Sequence, residues 1–185
     1  MLTFSVRKRL VLNQNLNTLR SYFNVRIDLL MAIEIEHKFT LKNESWRSEV
    51  VKSERLVQGY LAGNERNSIR VRIVGDRANL NIKSATLGIY RQEYEYEIPL
   101  EDGEKILEDL CEKPVIDKIR HYVKYEGKTW EIDEFSRENE GLIVAEIELN
   151  SEDEEFVIPE WADKNVSDDP RYYNVSLVKH PFKNW

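Results

Sequence analysis

With 185 residues, 41% hydrophobic and 33% charged, the chain has enough apolar material for one folded domain and too much for global disorder. A formal net charge of −7 speaks against a general nucleic-acid binder, although a local basic surface can still take phosphate. The single cysteine, Cys111, excludes an intramolecular disulfide and a multi-thiolate zinc site, so a reducing cytoplasm is the expected location. No run of about 18 apolar residues is present to span a membrane.

The first thirty residues differ from the rest. They carry Arg7, Lys8, Arg9, Arg20 and Arg26 against one acid, Asp28, and a second methionine follows at Met31. One reading is a basic, amphipathic targeting segment, which shares the acid-poor character of transit peptides. The favoured reading is an upstream start that adds residues before a chain beginning at Met31, because serine is sparse and no cleavage signal stands out. Residues 31–185 are expected to form one domain, preceded by this 1–30 extension.

From Met31 onward, residues alternate between apolar and polar with the period of two that marks strands. Eight segments qualify: 32–40, 55–63, 68–75, 78–85, 90–98, 117–125, 128–135 and 142–150. The breaks "GNERN", "GDR", "ATLG", "EGK" and "SRENEG" hold the Gly, Asn and Asp of tight turns, and short connections imply antiparallel pairing. Helices are expected over 42–53 and over 100–112, where Ile106, Leu107 and Leu110 share a face before Pro114. A further helix is expected over 151–158, with Ser151 as N-cap and Pro159 as stop.

One face of each strand is charged. In chain order these faces hold Glu34, Glu36 and Lys38; Ser68, Arg70 and Arg72; Asn79, Asn81 and Lys83; and Arg91, Glu93, Glu95 and Glu97. Next come Lys118, Arg120 and Tyr122; Glu131 and Asp133; and Glu146 and Glu148. A half-exposed antiparallel sheet is polar outside as a matter of course. These positions, however, are almost all ionic and sorted by sign: Arg70 and Arg72 have no acid beside them, and Glu146 and Glu148 no base. A solvated surface gains little from such sorting. Sorting makes sense if eight strands close into a barrel with charged faces inward, leaving room for a small ligand. Buried charge must be paired or solvated, so the lumen suits a polyanion with hard cations, bases taking phosphate and carboxylates taking Mg2+ or Mn2+. No glycine-rich phosphate loop is present, so side chains must supply the grip.

The segments "EIEHKF", "SIRVR", "NIKS", "RQEYEYEI", "DKIRHYV", "WEIDEF" and "VAEIEL", with the tail "VIPEWADKNVSDDPRYYNVSL", resemble in order and spacing the CYTH superfamily, or triphosphate tunnel metalloenzymes. The resemblance covers 32–177 and is strongest to short bacterial members such as inorganic tripolyphosphatases. It implies an α+β fold: a closed eight-stranded antiparallel β-barrel with a few short helices, one of them a C-terminal plug near 167–177. By position, Glu34, Glu36, Asp133, Glu146 and Glu148 would be metal-side carboxylates. Lys38, Arg70, Arg72, Lys83, Lys118 and Arg120 would bind the phosphate chain, and Lys83, Lys118 and Glu95, with Glu93 beside it, are candidate catalytic groups. Tyr173 and Val175 stand where some relatives carry lysines, which leaves no implied basic contribution from the plug.

The implied activity is divalent-metal-dependent hydrolysis of a triphosphate, with inorganic tripolyphosphate favoured. A class IV adenylate cyclase or a thiamine triphosphatase would use the same tunnel, and a non-catalytic triphosphate-binding module is a further alternative. No nucleobase pocket is visible in the sequence, and all the acids are present, which argues against cyclisation and against loss of turnover. The expected partner is a triphosphate-containing small molecule, with no nucleic acid or membrane. The apolar outer faces need cover from helices or from a second subunit, as in a homodimer. His37, His121 and His180 are too scattered for a metal site, and Trp46, Trp130, Trp161 and Trp185 are expected to pack rather than stack on a base.

Overall fold

The computed structural model describes residues 33–64, 66–84 and 89–185. The 1–30 extension and the "ATLG" turn, with the readings offered for them, lie outside the described residues.

Strands β1 (Ile33–Leu41), β2 (Val50–Gly63), β3 (Asn67–Val74), β4 (Arg77–Ser84) and β5 (Tyr90–Ile98) come first. Helix α1 (Leu100–Asp109) precedes β6 (Ile116–Tyr125), β7 (Lys128–Phe135) and β8 (Ile143–Leu149). A short β9 (Ala162–Asn165) and helix α2 (Asn174–Lys179) follow. All pairings are antiparallel, in the order β5-β4-β3-β2-β6-β7-β8-β1-β9. The turn between β6 and β7 is a two-residue hairpin in which Glu126 and Gly127 both take positive φ, +45° and +76°, as the twist of a tight hairpin requires.

The expectation of eight strands in a fully closed barrel is corrected. Among the described residues the sheet has nine strands, and β5 meets β1 over only three residue pairs, Ile33–Gln92, Glu34–Arg91 and Ile35–Tyr90. The rest of β1 pairs with β8 on one side, while β9 joins through Phe39–Asn165 and Leu41–Ala162. A four-residue strand with three charged or polar side chains carries no alternation to read, which is why β9 escaped the pattern.

Two predicted helices are also corrected. Over 42–53 there is only a 3₁₀ turn, Ser45–Glu49, after which Val50 opens β2 in register with Val123 of β6. Cross-strand pairing of the Val50–Val51 segment outweighs weak helical preference. Residues 151–158 form turns and extended chain. There Glu154 accepts from the Asn150 N–H and binds Lys128, so the side chain competes with a helical backbone. Phe156 is drawn onto Trp130, ring centroids 5.9 Å apart.

The apolar faces lie outside the charged ones. Ile35, Phe39, Trp130, Ile132, Ala145 and Ile147 pack under Trp46 and Trp161, a role that matches the packing expected for these tryptophans. Leu107 and Cys111 cover Val71, with Ile73, Leu80 and Ile98 alongside. On the inner face a third cluster forms a floor: Tyr60, Ile116, Phe135 and Val144 are capped by Leu177 and Val178 of α2. Among the described residues no helix is long and apolar enough to cross a membrane.

Candidate active site

The inward charged faces enclose a cavity of about 430 Å³. Its wall holds seven carboxylates and six cationic side chains, so the contents must be read as two opposed sets rather than as one charge. Strands β1, β7 and β8 supply Glu34, Glu36, Glu131, Glu146 and Glu148; β3, β4 and β6 supply Arg70, Arg72, Lys83 and Arg120. Alternation puts these residues on one face because Cβ atoms point to opposite sides of a strand in turn.

Just above the apolar floor, Lys118 and Asp133 are both wholly buried and paired. Arg120 grips the same carboxylate from Nε and Nη2, each at 2.7 Å, and reaches Glu146 at 2.6 Å from Nη2. Lys38 then joins Glu146 to Glu36. A continuous line of alternating charge therefore climbs from Lys118 to Glu36. Burial pushes the Glu146 carboxyl up, but Lys38, Arg120 and Lys118 outweigh it and hold the group well below its ordinary range. Burial acts likewise on Asp133 and is overcome by Arg120 and Lys118. For Lys118 the balance goes the other way: burial, aided by Arg120 and Arg72, exceeds the pull of Asp133 and lowers the ammonium to about 8.

Nearer the mouth, Lys83 meets Glu34 at 2.6 Å and Glu93 at 3.1 Å, and Arg70 meets Glu93 at 3.3 Å. Asn81 donates to Glu93 at 2.7 Å and to Glu95 at 2.5 Å, and Asn79 also donates to Glu95. Helix α2 and the residue before it close one side with Tyr173, Asn174, Val175 and Lys179.

Neutralisation is incomplete on both sides. Arg72 bonds only to the neutral Gln58, at 3.3 Å, and no carboxylate among the described residues pairs with it. Burial, then Arg70 and Arg120, push its guanidinium down to about 10. On the acid side Glu36 stands opposite Glu148, and Glu131 opposite Glu146, as direct cross-strand partners. Burial and neighbouring carboxylates raise both Glu131 and Glu148. Among the described residues, Arg70 Nε, Asn81 Oδ1 and Asn174 Oδ1 are buried without a hydrogen-bond partner.

Most residues chosen from sequence line the cavity: Glu34, Glu36, Lys38, Arg70, Arg72, Lys83, Glu95, Arg120, Glu146 and Glu148. Lys118 and Asp133 do not; they lie sealed beneath Arg120. Glu131 lines the wall although alternation assigns it no role beyond its face. Gln58 and Tyr60 share the inner face of β2 and are buried, but a neutral pair carries no charge signal. Lys179 reaches the cavity from the end of α2, beyond the segment read as the plug. Among the described residues no three carboxylates or imidazoles form a ready-made cation cage.

Comparison with known proteins agrees with this geometry. Residues 32–178 match the CYTH domain family. The chain is 48% identical over 155 residues to the inorganic triphosphatase of Acetivibrio thermocellus, covering 84% of this chain and 99% of that protein. It is 32% identical over 149 residues to the inorganic triphosphatase of Nitrosomonas europaea, covering 78% and 96% respectively. A solved structure of an inorganic triphosphatase superposes with a TM-score of 0.57 at 30% identity, covering 78% of this chain and 93% of the other. The chain belongs to the CYTH domain family.

Proposed function

We propose that the chain hydrolyses inorganic tripolyphosphate to pyrophosphate and orthophosphate with Mg2+ or Mn2+, inside the charged cavity that the inward strand faces line and α2 borders on one side. The observation that supports this reading is the incomplete neutralisation on opposite walls of one cavity: among the described residues Arg72 pairs with no carboxylate and Glu148 with no cation. A polyanion together with a divalent cation satisfies both walls; either alone satisfies one. The two relatives named inorganic triphosphatase support the choice of substrate.

The donor set fits the ion. Glu34, Glu36, Glu146 and Glu148, with Glu131 beside them, offer only oxygens, which suits Mg2+ or Mn2+ rather than zinc or copper. When bound, the ion offsets phosphate charge and acidifies water. Asp133, with both oxygens already engaged by Arg120 and Lys118, serves by positioning Arg120.

Phosphoryl transfer needs in-line positioning and charge neutralisation more than covalent help. Water adds to the terminal phosphorus as the bridging P–O bond breaks, its proton passes to the acid wall, and pyrophosphate leaves. Lys38, Arg70, Arg72, Lys83 and Arg120 hold the chain and take up charge on the leaving group. Lys118 acts through Asp133, and Glu95 acts by orienting Asn79 and Asn81, which leaves Lys83 as the catalytic group of the three that touches substrate. Product analysis with Mg2+ or Mn2+ on tripolyphosphate, ATP and thiamine triphosphate tests the reading. Orthophosphate from tripolyphosphate, lost in Glu36→Ala, is expected; cyclic AMP and pyrophosphate from ATP would replace hydrolysis by cyclisation.

A further inference from the structure

Gln58 sits mid-way along β2, has no solvent exposure, and lies among charged inner residues although it is itself neutral. It is the direct cross-strand partner of Arg72. Its Oε1 accepts from Arg72 Nε at 3.3 Å, and its Nε2 donates to the buried Tyr60 hydroxyl at 3.4 Å. A guanidinium carries donors only, so the amide can meet Arg72 only through its oxygen, and Tyr60 then takes the amide nitrogen. Gln58 is thus held at both ends.

The neighbouring cations are treated differently. Arg70 has Glu93, Arg120 has Asp133, Glu131 and Glu146, Lys38 has Glu36 and Glu146, and Lys83 has Glu34 and Glu93. Arg72 has an amide in the place where each of these has a carboxylate. A buried cation without a counter-ion is costly, and a glutamate of the same length at position 58 would supply one. The neutral residue keeps the guanidinium aimed while leaving its charge unspent.

We propose that Gln58 is a positioning residue that orients Arg72 into the cavity without neutralising it, so that Arg72 is the anchor whose counter-ion is the incoming phosphate chain. The inference rests on the triphosphate reading of the cavity and adds a residue to it. The lowered guanidinium of Arg72 agrees with a cation waiting for an anion.

The test is a double-mutant cycle in the full chain: wild type, Gln58→Glu, Arg72→Ala and the double variant. Tripolyphosphate binding is measured by calorimetry in metal-chelated buffer, and KM, kcat and thermal midpoint are measured alongside. Gln58→Glu is expected to weaken tripolyphosphate binding about tenfold, to raise KM more than it lowers kcat, and to leave the thermal midpoint unchanged or higher. In the Arg72→Ala background the same change is expected to do nothing. Unaltered binding by Gln58→Glu, or equal weakening in both backgrounds, overturns the inference. Should Gln58→Glu fail to fold, Gln58→Met removes the acceptor at similar volume and enters the same cycle, with weakening expected only where Arg72 is present. Wild-type protein that binds tripolyphosphate without hydrolysing it would remove the hydrolase reading while the cycle still decides the role of Gln58.

Discussion

Glu36 on β1 and Glu148 on β8 stand directly opposite each other across one antiparallel ladder, and both line the cavity. Like charges in that relation repel, and here the burial of Glu148 and the nearby Glu34 and Glu131 add to the repulsion. Lys38 offsets Glu36 and Glu146 but not Glu148, so on the function proposed above this wall is where a divalent cation would add the missing charge.

Glu148→Gln should therefore act oppositely on stability and on catalysis. Without metal the variant is expected to be more stable by up to about 1 kcal/mol, because a like-charge cross-strand pair is removed. The Mg2+ concentration for half-maximal hydrolysis is expected to rise about tenfold or more. Thermal unfolding with and without Mg2+, beside a metal titration of activity, reads both effects. An unchanged metal requirement would take Glu148 out of the metal set.

At the floor, Asp133 accepts from Arg120 and Lys118 at no exposure, so removing its charge strands two buried cations. Asp133→Asn is expected to cost about 3–5 kcal/mol in urea unfolding. Replacing the pair together, Lys118→Met with Asp133→Leu, should recover a large part of that loss, since a buried ion pair is worth little over packed apolar groups. A double variant no more stable than Asp133→Asn would show that Arg120 alone sets the penalty.

Outside the cavity, Asp117 accepts from Arg55 at 2.9 and 2.7 Å and from Arg137 at 2.7 Å. Bonding to Arg55 leads the effects that hold its carboxyl below the ordinary range, against the opposing effect of burial. A depressed folded-state pKa contributes stability that is present above the unfolded value and is lost as pH falls through the folded one. Both arginines are largely exposed, so screening limits the gain. Asp117→Asn is expected to cost about 1 kcal/mol at pH 7. The gap to wild type should close as pH drops below about 4, with hydrolysis at pH 7 unaffected. A gap that persists at pH 2 would assign the effect to shape rather than charge.

Gly103 offers a case where local preference and packing oppose each other. In the middle of α1, alanine would ordinarily stabilise by about 1 kcal/mol over glycine. Here a Cβ would lie 2.5 Å from the Ala78 Cβ of β4. Overpacking of this kind costs about 1–3 kcal/mol, so Gly103→Ala should destabilise, and Ala78→Gly should rescue it. A stabilised Gly103→Ala would mean that α1 can lift off β4 at little cost.

The strands were legible because alternation has a period of two, and a one-residue slip would carry every charge to the wrong face. Glu34, Glu36, Lys38, Arg70, Arg72, Lys83, Arg120, Glu146 and Glu148 reached the cavity on that rule alone. Helix α1 was legible in part: Ile106 and Leu107 pack over the outer sheet, but the helix ends at Asp109 and Leu110, read onto the same face, is exposed. What alternation cannot say is how deep a residue lies in the cavity, because depth follows from strand stagger and from α2 capping one end. Lys118 and Asp133 therefore look like wall residues in sequence and are floor residues in space. The same limit hid Lys179 and the pairing of Arg72 with a neutral Gln58. Sequence determined which side chains turn inward, since that is a property of each strand; only the tertiary structure decided which charges cancel and which stay open for a ligand, since cancellation depends on distances between strands.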